Sequence, residues 1–197
     1  VELRFSPLFM AEVHNLKPEA VVEAVIDGVR AGAEEIGIQA NLLGILSRTY
    51  GAENAQKELD AILAYADQIA GLDLAGDEAN YPVELFESHF DQARDAGLNI
   101  TVHAGESAGP ESVRKAVQIL GAKRIGHGIA AVNDPALMDL LFKYQIGIEA
   151  NLTSNVQTSS VTDYASHPVK KFLQNGLLVS LHSDDPAISG IDLPYEY

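Results

Sequence analysis

Seven times along this chain, a short run rich in Val, Ile and Leu gives way to a longer stretch whose apolar residues recur at helical spacing. Parallel strands cannot be joined by a tight turn and need a crossover of about a dozen residues or more, so this alternation is the pattern of β/α units around a parallel sheet. The expected strands cover residues 1–6, 37–47, 71–75, 100–104, 124–127, 147–151 and 177–183. Between them, Pro18 precedes an apolar face of Val21, Val22, Val25, Ile26 and Val29, and Leu59, Ile62, Leu63, Ala66 and Ile69 repeat the period. Pro110 opens a helix carrying Val113, Ala116, Val117 and Leu120, with Gly121 as its left-handed stop. Asp134-Pro135 and His167-Pro168 open two more, and Gly97 and Gly176 stand where helices should end.

No Pro/Gly/Ser-rich linker interrupts the 197 residues, so residues 1–197 read as a single domain. Two architectures compete for such a pattern: a doubly wound open sheet and an eight-fold β/α barrel of TIM type. Neither GxGxxG nor GxxxxGK[ST] occurs. A barrel takes about 250 residues, so seven units read as a partial (β/α)8 barrel missing its first β/α unit and its C-terminal end. The start at Val1, inside a strand-like run and without an initiator Met, agrees with that expectation. With 13 Lys+Arg against 28 Asp+Glu the net charge is −15, a field that repels phosphate backbones and anionic lipid. Neither a nucleic-acid partner nor a membrane is expected, the latter also because no run of about 18 apolar residues occurs. The absence of cysteine removes disulfides, thiol nucleophiles and thiolate metal sites, and a cytoplasmic protein fits best.

In a β/α barrel the working residues collect at the C-terminal strand ends, and the unusual polar residues fall there: DLAGDE at 73–78, TVHAGE at 101–106, RIGHG at 124–128 and SDDP at 183–186. A catalytic zinc takes about three His or carboxylate ligands and lowers the pKa of a bound water to about 7. His103 and Asp184 supply two, which leaves the set short. Each residue also has a plain structural reading. His103 can be a hydrogen-bonded core histidine, Glu106 a helix-entry residue favoured by the macrodipole, and His127 a turn residue between glycines. Asp184-Asp185-Pro186 can be an Asx turn or N-cap, and Gly76 can serve a positive φ. What raises the chemical reading is that all of them fall at strand ends. His182, two residues before Asp184, shares its face if the strand stays regular that far. His14, His89 and His167 read as surface or capping residues, and Asn151-Leu152-Thr153-Ser154-Asn155 as loop capping or a pocket wall.

Taken in order, these four motifs, with VELRFSP and NLTSN, resemble the adenosine deaminase family of metal-dependent hydrolases. The resemblance implies one Zn2+ per chain held by His103 and Asp184. Glu106 would be the general acid that protonates purine N1, a role that needs a protonated carboxyl, and His127 would orient the attacking water and help deprotonate it. Asp185 would bond N7, and the backbone N–H of Gly76 would meet N3. The implied reaction is hydrolysis of adenosine or 2'-deoxyadenosine to inosine or deoxyinosine and ammonia. One departure stands out: the family's first strand carries a His-x-His pair, which this sequence lacks, and the expectation is that it lies upstream of Val1. A relative acting on adenine or another 6-aminopurine would share the same groups, since they address the ring; the tail Gly190–Tyr197 looks more like the nucleoside enzymes. A catalytically inactive barrel used as a binding protein is the non-enzyme alternative, disfavoured by Glu106 and Asp185.

Overall fold

A computed structural model describes residues 1–197. Two compact units divide the chain, one made of residues 1–77 and 83–101, the other of 78–82 and 102–197. The first contains β1 (Glu2–Phe5), α1 (Pro7–His14), α2 (Pro18–Ile36), β2 (Asn41–Ser47), α3 (Gly51–Leu63), β3 (Gly71–Ala75), α4 (Glu87–Asp95) and the beginning of β4 (Asn99–Ala104). Its strands are parallel and adjacent in chain order, with Glu2 opposite Asn41, Leu43 opposite Gly71 and Gly71 opposite Asn99. Val21, Val22 and Ile26 form the buried stripe of α2, as their spacing predicts. The apolar period that begins at Leu59 does not continue as helix to Ile69. Tighter bonds take over beyond Leu63, from Tyr65 N–H to Ile62 at 3.0 Å and from Gln68 N–H to Tyr65 at 2.9 Å, and they deliver a buried Ile69 to the approach of β3.

The second unit holds the end of β4, then α5 (Pro110–Gln118), β5 (Arg124–His127), α6 (Pro135–Lys143), β6 (Gly147–Ala150), α7 (Leu152–Gln157), α8 (Val169–Gln174), β7 (Leu178–Leu181), α9 (Pro186–Ser189) and α10 (Leu193–Glu196). Here too neighbours follow chain order and run parallel, with Arg124 opposite Gly147 and Gly147 opposite Leu178. Val102, Ile125 and Ile148 of the strands and Val113, Leu137, Leu141 and Phe172 of the helices are its buried core. A doubly wound sheet would reverse strand order at a switch point; sequential order within each unit is that of a β/α barrel. All seven expected strands form. β7 stops at Leu181, two residues short of expectation, and residues 152–155, for which loop capping or a pocket wall is expected, lie in α7. No helix is long and apolar enough to cross a membrane.

Candidate active site

The second unit carries the candidate site. His103 lies on β4, and its ring is laid against β5: a Cβ built on Gly126 would stand 3.2 Å from His103 Cγ and Nδ1. The glycine in RIGHG therefore makes room for an imidazole. His127 ends β5 in the left-handed region, φ 64°, and Asp184 sits beyond β7 with φ 54°. Such conformations are uncommon outside glycine and cost an L-residue about 1–2 kcal/mol. The strand ends thus hold these two side chains at some local cost. The His103 and His127 rings are 5.2 Å apart and tilted by 56°, and one ligand atom from each of His103, His127 and Asp184 lies within 4.8 Å of the others. His127 Nε2 is 3.8 Å from Asp184 Oδ2 and 3.5 Å from Glu106 Oε2. Two imidazoles and a carboxylate form a donor set suited to a borderline-soft divalent ion.

Glu106 follows β4. Its Oε1 accepts from the Asn155 amide at 3.4 Å and from the Thr158 hydroxyl at 3.2 Å. The turn that carries it is clipped by Glu78, the last residue of DLAGDE. Glu78 accepts the successive backbone N–H groups of Gly105 (2.5 Å), Glu106 (3.1 Å), Ser107 (3.0 Å) and Ala108 (3.1 Å), and the Ser112 hydroxyl at 2.5 Å. Burial raises the Glu78 pKa, but these donors, Ser112 foremost, outweigh it and hold the carboxyl below its ordinary range. His127 is buried, and desolvation with His103 beside it pulls its pKa below the ordinary imidazole value against the pull of Glu106 and Asp184.

Three further residues have these neighbours within their own units. Gly76 belongs to the first unit, where it ends β3 with φ 104°; a Cβ there would be 2.8 Å from Thr49 Oγ1. Asp185 is the N-cap of α9 and accepts from Ile188 N–H at 3.1 Å, the plain reading of an Asp before Pro. With β7 ending at Leu181, His182 and Asp184 do not share a regular strand face, and the His182 ring turns back to the Ser180 hydroxyl at 2.7 Å. Two of the histidines read as surface or capping residues are buried. His89 bonds the Ala52 carbonyl at 2.9 Å in the first unit, and His167, held extended ahead of Pro168, reaches Asn155 Oδ1 at 3.2 Å. Asn151 also meets His127, at 3.2 Å from Nδ1. The amides of NLTSN and the final acid of DLAGDE were visible in the motifs, but nothing in their spacing assigned them partners.

A family model described as "Adenosine deaminase" matches residues 1–197. Adenosine deaminase of Vibrio cholerae is 59% identical over 196 residues, an alignment that covers 100% of this chain and 59% of the relative. The chain thus spans about three fifths of the length of the curated relatives it matches. Among solved structures, adenine deaminase from Arthrobacter aurescens superposes with a TM-score of 0.92 at 30% identity, covering 98% of this chain and 58% of that one. A cog1816 amidohydrolase with bound Zn from Burkholderia ambifaria gives 0.90 at 29%, over 99% of this chain and 55% of that one.

Proposed function

Because the chain belongs to the adenosine deaminase family, we propose that it serves the hydrolytic deamination of adenosine and 2'-deoxyadenosine to inosine, or deoxyinosine, and ammonia. The observation that carries the reading is the meeting of His103, His127 and Asp184 within 4.8 Å, with Glu106 3.5 Å from His127. His103 and Asp184 would hold one divalent ion, zinc by their chemistry and by analogy with the Zn-bound relative. Such an ion brings the pKa of water toward neutrality and so makes hydroxide available.

The remaining work falls to side chains. Glu106 Oε1 is occupied as an acceptor by Asn155 and Thr158, so the acid proton belongs on Oε2. Delivered to purine N1, it makes C6 electrophilic; hydroxide adds at C6, the amino group leaves as ammonia, and the ring carbonyl forms. His127 stands beside both Glu106 and Asp184 and orients the attacking oxygen. Asp185 toward N7 and the Gly76 N–H toward N3 follow from the family resemblance. Solution in the cytoplasm is part of the proposal, supported by a chain without cysteine.

The test is a spectrophotometric assay of the full-length gene product with adenosine, deoxyadenosine and adenine in parallel, with and without a chelator. Chelator-sensitive turnover of the nucleosides above adenine is expected, and Glu106→Gln should lower kcat roughly 100-fold or more while leaving the metal bound. A second reading, deamination of free adenine, is favoured by the likeness to the Arthrobacter enzyme; the 59% identity to enzymes named for adenosine weighs against it. Turnover of adenine alone would overturn the first reading in favour of the second.

A further inference from the structure

His127 is surrounded on its Nδ1 side by amide groups, and the hydrogens there can be traced from a group whose identity is fixed. The backbone N–H of Val169 can only donate, and it donates to His167 Nδ1 at 3.1 Å. His167 is buried, and desolvation, with His127 adding to it, brings its pKa down to about 4. The ring is neutral near pH 7, and its single hydrogen sits on Nε2. That hydrogen meets Asn155 Oδ1 at 3.2 Å, which turns the other end of the amide, Nδ2, toward His127 Nδ1 at 2.9 Å and Glu106 Oε1 at 3.4 Å. Asn151 Nδ2 approaches the same His127 nitrogen at 3.2 Å and its Nε2 at 3.4 Å. Asn151, nearly equidistant from the two ring nitrogens, does not distinguish them; the Asn155 NH2 group meets Nδ1 alone and can only donate, so His127 Nδ1 must be the acceptor.

We propose that Asn155 and His167 are positioning residues that hold His127 as the tautomer with its hydrogen on Nε2, making it a hydrogen-bond donor to the reacting oxygen instead of a metal ligand or a proton acceptor. A histidine that ligates through Nε2 needs its lone pair there and donates its other N–H to a carboxylate or carbonyl. His127 Nδ1 instead faces donors, which separates it from His103 and Asp184 although the three atoms are close enough to hold one ion. The same Asn155 amide reaches Glu106, so one side chain sets the hydrogen on the orienting residue and occupies one oxygen of the acid. The functional consequence rests on the deaminase reading; the tautomer does not.

The experiment uses the full-length, metal-loaded protein labelled with 15N-histidine. Long-range 1H–15N spectra distinguish a protonated from an unprotonated ring nitrogen, and His127→Gln identifies the signals of His127. The wild type should show Nε2 protonated and Nδ1 bare. Asn155→Asp is nearly isosteric and replaces the donor by an acceptor, so it should move the hydrogen to Nδ1. It should also lower kcat roughly 100-fold or more, as a wrong tautomer does in the Ser-His-Asp triad, with KM changed only a few-fold and metal content unchanged. His167→Gln keeps a donor for Asn155 and should retain activity within about 10-fold, whereas His167→Leu should not. His127→Gln should keep its metal. A wild-type spectrum with Nδ1 protonated overturns the proposal without any variant having to fold, as does an Asn155→Asp protein that is folded by circular dichroism and unchanged in spectrum and kcat. Nε2 protonation without turnover of adenosine would leave the tautomer standing and remove the deaminase reading, while turnover with Nδ1 protonated would do the reverse.

Discussion

Glu58 of α3, in the first unit, and Glu78, in the second, are both buried, yet the first ionises above the ordinary carboxylate range and the second below it. Desolvation pushes both upward. Glu58 meets only three donors, the Ser6 hydroxyl at 2.5 Å, Ser47 N–H at 2.6 Å and Leu8 N–H at 3.4 Å, and Glu12 adds a like charge. Glu78 gathers four consecutive backbone N–H groups and a close hydroxyl. Burial alone therefore does not decide the charge of an interior carboxyl; the number of donors aimed at it does. The two clips also hold different things. Glu58 ties the start of α1 to the end of β2, whereas Glu78 ties down the turn that presents Glu106.

The largest effect that would sharpen this contrast is expected from Glu78→Gln. An NH2 set against backbone N–H groups should cost roughly 2–4 kcal/mol in urea unfolding. Near neutral pH, Glu58→Gln should cost about 1 kcal/mol or less, since its carboxylate is poorly compensated; equal losses would break the comparison. Acidification separates them by sign. The folded pKa of Glu78 lies below its unfolded value of 4.5, so its contribution is present above that value and is lost as pH falls through the folded one. For Glu58 the folded value lies above 4.5. Its contribution is present below the unfolded value and is lost as pH rises through the folded one, so the wild type should gain on Glu58→Gln as pH drops toward 4.5.

His167 is expected to give the next effect. Its folded pKa of about 4 lies below the ordinary 6.5, so unfolding takes up a proton between these values and stability falls across that window as pH is lowered. The wild type should lose about 1–2 kcal/mol relative to His167→Gln between them, read from urea midpoints; a flat difference would show that the ring is charged when folded. Smallest is Gly126→Ala. The added methyl, 3.2 Å from the His103 ring, should cost about 1 kcal/mol of stability and weaken zinc binding several-fold in a competition titration. Unchanged affinity would mean that the ring can shift without harm to the donor set.

Much of this architecture is legible in the residue pattern. Pro18, Pro110 and Pro135 stand at helix starts, and Gly97, Gly121 and Gly176 have positive φ where helices give way to strands. The strand-end motifs placed His103, Glu106, His127 and Asp184 in one unit, because strand alternation and sequential order bring such ends together. Where the reading of single residues failed, the cause was a partner distant in sequence. His167 does cap the start of α8, accepting Val169 N–H at 3.1 Å, but its burial and its bond to Asn155, twelve positions earlier, leave no mark in the local sequence. Asp184 and His182 looked co-facial because period two was carried past Leu181, whereas the backbone leaves the strand there and enters the left-handed region at Asp184.

The order of strands and helices, the identity of the donor atoms and their distribution among strand ends were determined by the amino-acid sequence itself, since periodicity and backbone stereochemistry act over a few residues. Only the tertiary structure decided which nitrogen of His127 carries the hydrogen, which carboxyl keeps its charge inside and which glycine yields space to an imidazole. Those outcomes depend on burial and on hydrogen-bond partners up to 52 positions away, and pairings of that kind leave no local pattern in the chain.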